Sequence, residues 1–136
     1  MDTIEEILHR FGTITVVGAS ADPSKPAHYV PAHMRAHGWM IVAVNPNQPE
    51  IFGTKAVASL ADAPQPARFV NVFRPSAQTP DVVRAAIAAG AQAVWLQLGI
   101  VSPEARQLAE DAGLLYVENR CLLVEQRRLG LTAPAH

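Results

Sequence analysis

Ile14-Thr15-Val16-Val17-Gly18 is an apolar, largely β-branched run stopped by its glycine. Such a run suits a strand buried on both faces, the kind found in parallel sheets covered by helices. Upstream, Ile4, Ile7, Leu8 and Phe11 fall at helical spacing over residues 3–11, with Asp2 or Thr3 placed to cap the start. Downstream, the polar loop of residues 19–26 leads into a helical stretch that runs to about His37 and stops at Gly38. Pro31 is expected in or near the first turn of that helix, because an interior proline breaks one.

The same unit then recurs. Met40 to Val44 is a second apolar strand, ended by Asn45-Pro46-Asn47, and residues 50–64 form a looser connection. Phe69 to Phe73 is a third strand, followed by a helix opened by Pro80 and closed by Gly90. Ala93 to Gln97 is a fourth, followed by a Ser102-capped helix that ends at Gly113. Leu114 to Val117 is a fifth, and residues 121–128 suit a last helix. Strands alternating with helices argue for βαβ units with right-handed crossovers. The expectation is an α/β fold, a single Rossmann-like doubly wound parallel sheet of about five strands in the order 3-2-1-4-5. Residues 1–136 are expected to form one domain with a frayed tail at 132–136. No composition break, internal repeat or low-complexity segment interrupts them.

Composition narrows the function classes. Apolar residues make up 49% of the 136 and charged residues 17%, a profile that supports a buried core. The net charge is −1, so no basic excess exists to neutralise a phosphate backbone, and nucleic-acid binding is not expected. The single cysteine, Cys121, excludes an intramolecular disulfide and a cysteine-built zinc site. No apolar run approaches the ~18 residues of a membrane span. The acidic start, Met1 to Glu6, lacks a signal-peptide pattern, which makes the cytoplasm the expected compartment. No metal site is expected. His33 and His37 stand at i,i+4, but no third ligand lies in register and the glutamate of H-E-x-x-H is missing, so they read as surface histidines.

In an open parallel sheet, ligands bind beyond the carboxyl ends of the strands, here expected at the switch between strands one and four. Gly18-Ala19-Ser20 reads either as a phosphate cradle or as an ordinary turn with a capping serine. As a cradle, the glycine admits close backbone approach, the serine adds a hydroxyl, the next helix start favours anions, and Lys25 adds a movable charge. G-x-G-x-x-G is not present, because positions 20 and 23 are serine and proline. A dinucleotide site usually carries Asp or Glu after strand two, yet the chain has Asn45-Pro46 and no acid before Glu50. That pair is either a ribose border or only a turn. Arg74 is a phosphate partner through its planar fork or a loop-holding surface arginine. Gln97 serves a ligand or the loop backbone. Trp39 and Trp95 read as core or pocket wall. Cys121 sits beside Arg120 at a possible helix start, a setting that lowers a thiol's pKa, and is otherwise a small packing residue. No nucleophile elbow and no paired carboxylates are evident, so no catalytic residue is assigned.

Six stretches, in order, resemble the small stand-alone CoA-binding proteins. They are Val16-Val17-Gly18-Ala19-Ser20, Pro26-Ala27-His28-Tyr29-Val30, Val42-Ala43-Val44-Asn45-Pro46, Val70-Asn71-Val72-Phe73-Arg74, Trp95-Leu96-Gln97-Leu98-Gly99-Ile100 and Asn119-Arg120-Cys121-Leu122-Leu123-Val124-Glu125. That family is similar to the N-terminal CoA-binding domain of the succinyl-CoA synthetase α subunit. The resemblance covers about residues 3–131. It implies a Rossmann-like fold and a CoA ligand, with Gly18, Ala19, Ser20 and Ala21 cradling the phosphates and Lys25 nearby. It sets Asn45 and Pro46 beside the adenosine, Val72, Phe73 and Arg74 along the next wall, and Gln97, Leu98 and Gly99 on the far side. The synthetases carry a lysine near the start of strand two, where this chain reads Gly38-Trp39-Met40. Their phosphohistidine domain and nucleotide-grasp subunit have no counterpart here, so ligase chemistry is not expected to accompany the fold.

The resulting expectation is non-catalytic binding of CoA or an acyl-CoA, as carrier, sensor or reservoir. The alternatives are a thiol/disulfide redox protein that uses Cys121 with CoA, and an NAD(P)-binding oxidoreductase domain. The sequence names no protein partner.

Overall fold

The computed structural model describes residues 1–135, so His136 lies outside the described residues. In chain order the elements are α1 (Thr3–Arg10), β1 (Thr13–Val17), α2 (Pro26–Ala36), β2 (Met40–Val44), β3 (Glu50–Ile51), β4 (Thr54–Lys55), β5 (Phe69–Val72), α3 (Thr79–Ala88), β6 (Ala93–Leu96), α4 (Pro103–Asp111), β7 (Leu115–Val117) and α5 (Leu122–Leu129). Five of the strands form one parallel sheet in the order β2-β1-β5-β6-β7, while β3 and β4 make a separate two-stranded hairpin.

The α/β doubly wound architecture matches the expectation; the strand order does not. The third long strand, β5, sits beside β1 on the side away from β2, which gives 2-1-3-4-5 in place of 3-2-1-4-5. Burial explains the choice. All four residues of β5 are buried, which requires a neighbour on each side and a helix layer on each face. β2 leaves Met40 49% exposed and Ile41 and Val42 half-buried, which an edge strand tolerates.

Alternation along the strands divides the core. Phe69 of β5 and Trp95 of β6 pack with Ile7, Leu8, Val30, Met34 and Leu122 from α1, α2 and α5. Val70 and Val94 pack on the other face with Val83, Ala86, Ala105 and Ala109 from α3 and α4. Trp39 and Trp95 are core, each with its indole N–H donated to a carbonyl, of Phe11 and of Arg120, both at 2.8 Å. Helix starts follow their caps: Asp2 Oδ1 accepts from Glu5 N at 2.8 Å, and Ser102 Oγ accepts from Ala105 N at 3.1 Å.

Three local expectations change. α2 begins at Pro26, so Pro31 stands in its second turn. The helix continues because the carbonyl orphaned by the missing Pro31 N–H, that of Ala27, accepts from Ser20 N at 3.1 Å instead. His33 and His37 are surface histidines only in part: both are half-buried, and His33 Nε2 lies 2.6 Å from Gln126 Oε1, which joins α2 to α5. Residues 132–135, expected to fray, are tied down. Ala133 N donates to His37 O at 3.0 Å, and a Cβ on Gly12 would meet Pro134 O at 2.7 Å.

Candidate functional site

Four strand ends meet on the carboxyl edge. Gly18 N donates to Val44 O (3.0 Å), Phe73 N to Val17 O (2.9 Å) and Gln97 N to Val72 O (3.2 Å). The turns after β2, β1, β5 and β6 therefore form one continuous ridge. The sheet's connections reverse between β1 and β5, so the switch point lies between Gly18 and Phe73 and not between the first and fourth long strands. Gly18 has φ +87°, and a Cβ there would stand 2.4 Å from Phe73 O and 3.1 Å from Arg74 Cδ. Only glycine lets the two turns approach so closely.

The loop after Gly18 is internally braced. Ser20 Oγ accepts from Asp22 N at 3.0 Å, which leaves the hydroxyl proton to donate outward. Asp22 Oδ1 accepts from Ser24 N at 3.0 Å and Ser24 Oγ at 2.7 Å. Those two bonds hold the Asp22 carboxyl below the usual aspartate range, with Lys25 and His28 adding a smaller pull in the same direction. Lys25 is the N-cap of α2, exposed and without a side-chain cap bond. The start of an eleven-residue helix, one available hydroxyl and one lysine thus share this loop. Ala19 is fully buried and can offer only backbone, while Ala21 is exposed.

The other predicted site residues fall along the ridge in different roles. Asn45 Nδ2 donates to Ala19 O at 2.8 Å and its Oδ1 accepts from Asn47 N at 2.7 Å, so its amide clamps the β2 end to the glycine loop. Pro46 is exposed beside it. Arg74 lies across Gly18 and its Nε and Nη2 both donate to Gln78 Oε1, at 3.0 and 2.6 Å, so its fork is held in place. Phe73 is half-buried. Val72 is fully buried against the α3/α4 face, so only its backbone reaches the edge. Leu98 is 67% exposed, and Gly99, at φ +86°, donates its N–H to Asn119 Oδ1 at 2.8 Å.

Gln97 is almost wholly buried, and its Oε1 accepts from Leu122 N at 3.4 Å and from Asn71 Nδ2 at 3.3 Å. Asn71 was not among the predicted site residues. Its signal was an amide within the otherwise apolar run Phe69-Val70-Asn71-Val72. Cys121 is half-buried at the N-cap of α5 and makes no side-chain cap bond. Away from the ridge, burial and then the Glu118 carboxylate at 2.9 Å push the Tyr116 hydroxyl up from its ordinary value.

A cavity of about 540 Å³ opens at the opposite, amino edge, lined by Arg10, Thr13, Met40, Arg68 and Gln92 among others. The carboxyl edge is an open ridge, and its donors are what suit it to an extended anion. Among the described residues, no group of three or more His, Cys, Asp or Glu side chains could hold a metal ion, and no helix is long and apolar enough to cross a membrane.

Comparison with known proteins points the same way. A family model described as a CoA binding domain matches residues 12–127. The uncharacterized protein YneT of Bacillus subtilis (strain 168) is 39% identical over 121 residues, covering 89% of this chain and 90% of that one. A solved structure from Thermus thermophilus, cell-free ID.343, is 43% identical and superposes with a TM-score of 0.88, over 95% of this chain and 99% of the other. The fold also occurs in a dinucleotide forming acetyl-coenzyme A synthetase of Ca. Korarchaeum cryptofilum. That match has a TM-score of 0.72 at 22% identity, over 85% of this chain and 27% of the synthetase.

Proposed function

This chain belongs to the CoA binding domain family, and from that premise we propose that it holds CoA or an acyl-CoA along the carboxyl edge of its sheet, as a carrier, sensor or reservoir and not as a catalyst. The observation that carries the reading is the braced loop from Gly18 to Lys25, closed against Phe73 and opening onto the start of α2. The CoA diphosphate meets the helix start, the Ser20 hydroxyl and the Lys25 ammonium. Asn45 and Pro46 border the adenosine, with no carboxylate there to repel the ribose 3′-phosphate. Phe73 and the Arg74 fork form the adjoining wall, and Gln97, Leu98 and Gly99 bound the far side. The chain's contribution is charge neutralisation and positioning. No step that makes or breaks a bond is assigned to its residues.

Thermal stability in the presence of ligands tests this. A ligand that binds only the folded state, at ~100 times its Kd, adds roughly 2.7 kcal/mol. For a domain of this length that raises Tm by several degrees. CoA should give that shift and NAD should not. Ser20→Asp, which sets a negative charge against the diphosphate, should remove most of it and leave the unliganded Tm nearly unchanged. Equal shifts with NAD and CoA, or a full CoA shift in Ser20→Asp, would overturn the reading.

A further inference from the structure

β1 and β2 are covered by helices on one face only. Ile14 and Val16 pack with α1, α2 and α5 on that face. On the other, α3 and α4 pack over β5 and β6. The connection from β2 to β5 would ordinarily lay a helix over β1 and β2 there, but it supplies only the β3/β4 hairpin and the short turn Leu60–Asp62. Val57 and Leu60 join Val17 and Val44 in one cluster at the carboxyl half. The amino half is left open, and the cavity of about 540 Å³ lies there, with Thr13, Thr15, Met40 and Val42 on its floor.

Alternation along the strands sets which side chains face it. Phe69 and Ala93 belong to the same side as Ile14 and Val16. Their neighbours Thr13, Thr15, Arg68 and Gln92 therefore face the cavity, which all four line. Thr13 pairs with Met40, and the register of Thr15 with Val70 and of Phe69 with Ala93 carries that row on to Arg68 and Gln92. A polar row thus crosses the amino edge, in front of an apolar row of Val42, Val70 and Val94 that Thr15 interrupts.

The charges in this cavity are one-sided. No aspartate or glutamate lines it. Arg10 is shared, with Nη1 3.6 Å from Glu6 Oε2 and Nη2 donating to Gln92 Oε1 at 3.3 Å. Arg68 is exposed and has no carboxylate partner among the described residues. Thr15 is 2% exposed, and its hydroxyl makes no hydrogen bond to a described residue. A hydroxyl buried so deeply is costly to leave unpaired, and what enters the cavity can complete it.

We propose that this cavity binds a small monocarboxylate with an apolar body. The carboxylate accepts from the Arg68 guanidinium and from the Thr13 and Thr15 hydroxyls. The body lies against Met40, Val42 and Pro66. One uncompensated cation suits a single negative charge, and the volume falls in the range of small-molecule sites. The site stands at the opposite ends of β1 and β2 from Gly18 and Asn45, and it does not rest on the CoA reading.

Amide NMR of the isotope-labelled full chain tests this. Phenylbutyrate is the probe. Phenylbutyramide, with the same body and no charge, and inorganic phosphate, with charge and no body, are its controls. Phenylbutyrate should shift the Thr13, Thr15, Arg68 and Gln92 amides saturably and stay bound in excess CoA. Each control should bind at least about fivefold more weakly. Arg68→Gln and, independently, Thr15→Val should each weaken phenylbutyrate about fivefold. Arg68 is exposed and valine keeps the shape of Thr15, so both variants should fold, as their unliganded spectra will show. The proposal is overturned by the absence of a saturable shift at the amino edge, by a control that binds as tightly as phenylbutyrate, by unchanged affinity in either variant, or by displacement with CoA.

Discussion

The Ser20 N–H donates to the Ala27 carbonyl at 3.1 Å, reaching from the glycine loop into the side of α2. That carbonyl is free because Pro31, at the position four residues on, has no N–H to give it. The helix interruption and the loop anchor are therefore one feature, and the loop it anchors carries the proposed phosphate site.

Pro31→Ala separates the two roles. It restores an N–H that competes with Ser20 for Ala27, so the loop loses its tether while the helix gains a bond. The gain in helix propensity and the small cavity left by the buried proline act in opposite directions, so Tm should move little. The CoA-induced rise in Tm should fall by at least half. A full CoA shift in this variant would show that the tether has no part in binding.

Gly18→Ala tests the switch point. The left-handed backbone costs a side chain roughly 1–2 kcal/mol. The methyl, 2.4 Å from the Phe73 carbonyl oxygen, also forces β1 and β5 apart, at a cost of about 1–3 kcal/mol. Urea denaturation should show both together as a loss of about 2–5 kcal/mol, accompanied by loss of CoA binding. Near-native stability would mean that the two turns do not approach as closely as described.

Asn45 is a test of clamp against contact. Both ends of its amide are engaged within the chain, with Ala19 O and Asn47 N. Asn45→Ala should cost about 1–2 kcal/mol of stability and weaken CoA through the loosened loop. Asn45→Asp keeps the acceptor for Asn47 but turns a carboxylate toward the Ala19 carbonyl, so it should destabilise at least as much and confer no affinity for NAD. A variant that loses CoA binding with stability untouched would make Asn45 a direct ligand contact instead.

Most of the architecture was legible because buried parallel strands and their glycine stops leave strong local marks. Ile14 to Gly18 and Ala93 to Gln97 are such cases. The order of the strands was not legible, because β2 and β5 are both largely apolar in sequence, and which neighbours bury each of them is not written in either run. Pro31 was misplaced for a related reason: the donor that rescues Ala27 comes from a loop, and periodicity along the helix cannot show it. Along the proposed site, residue types at the turns single out the carboxyl edge. They could not show that Asn45 and Arg74 would be occupied by Ala19 and Gln78, or that Asn71 would share a buried contact with Gln97.

Asp22 sets the charge of the loop, and its protonation has a defined sign. Its two bonds from Ser24 favour the ionised form and lower its folded pKa below the ordinary value of about 3.9. The stabilisation it gives is thus fully present above that ordinary value and is lost as pH falls through the lower, folded one. Ser24→Ala removes the hydroxyl bond and keeps the backbone one, so the Asp22 carboxyl should titrate higher than in the wild type but still below an ordinary aspartate, as read by carboxyl carbon NMR. An unmoved titration would show that the hydroxyl is not bonded in solution. In the proposed complex the same carboxylate, ionised at neutral pH, lies in the loop that would face the CoA diphosphate, so it opposes the ligand while bracing the loop. Asp22→Asn keeps the acceptor for Ser24 and removes the charge. It should bind CoA about threefold more tightly at low salt, and the gain should shrink as salt rises. Weaker binding in Asp22→Asn would mean that the charge itself, and not the turn it braces, is what the site needs.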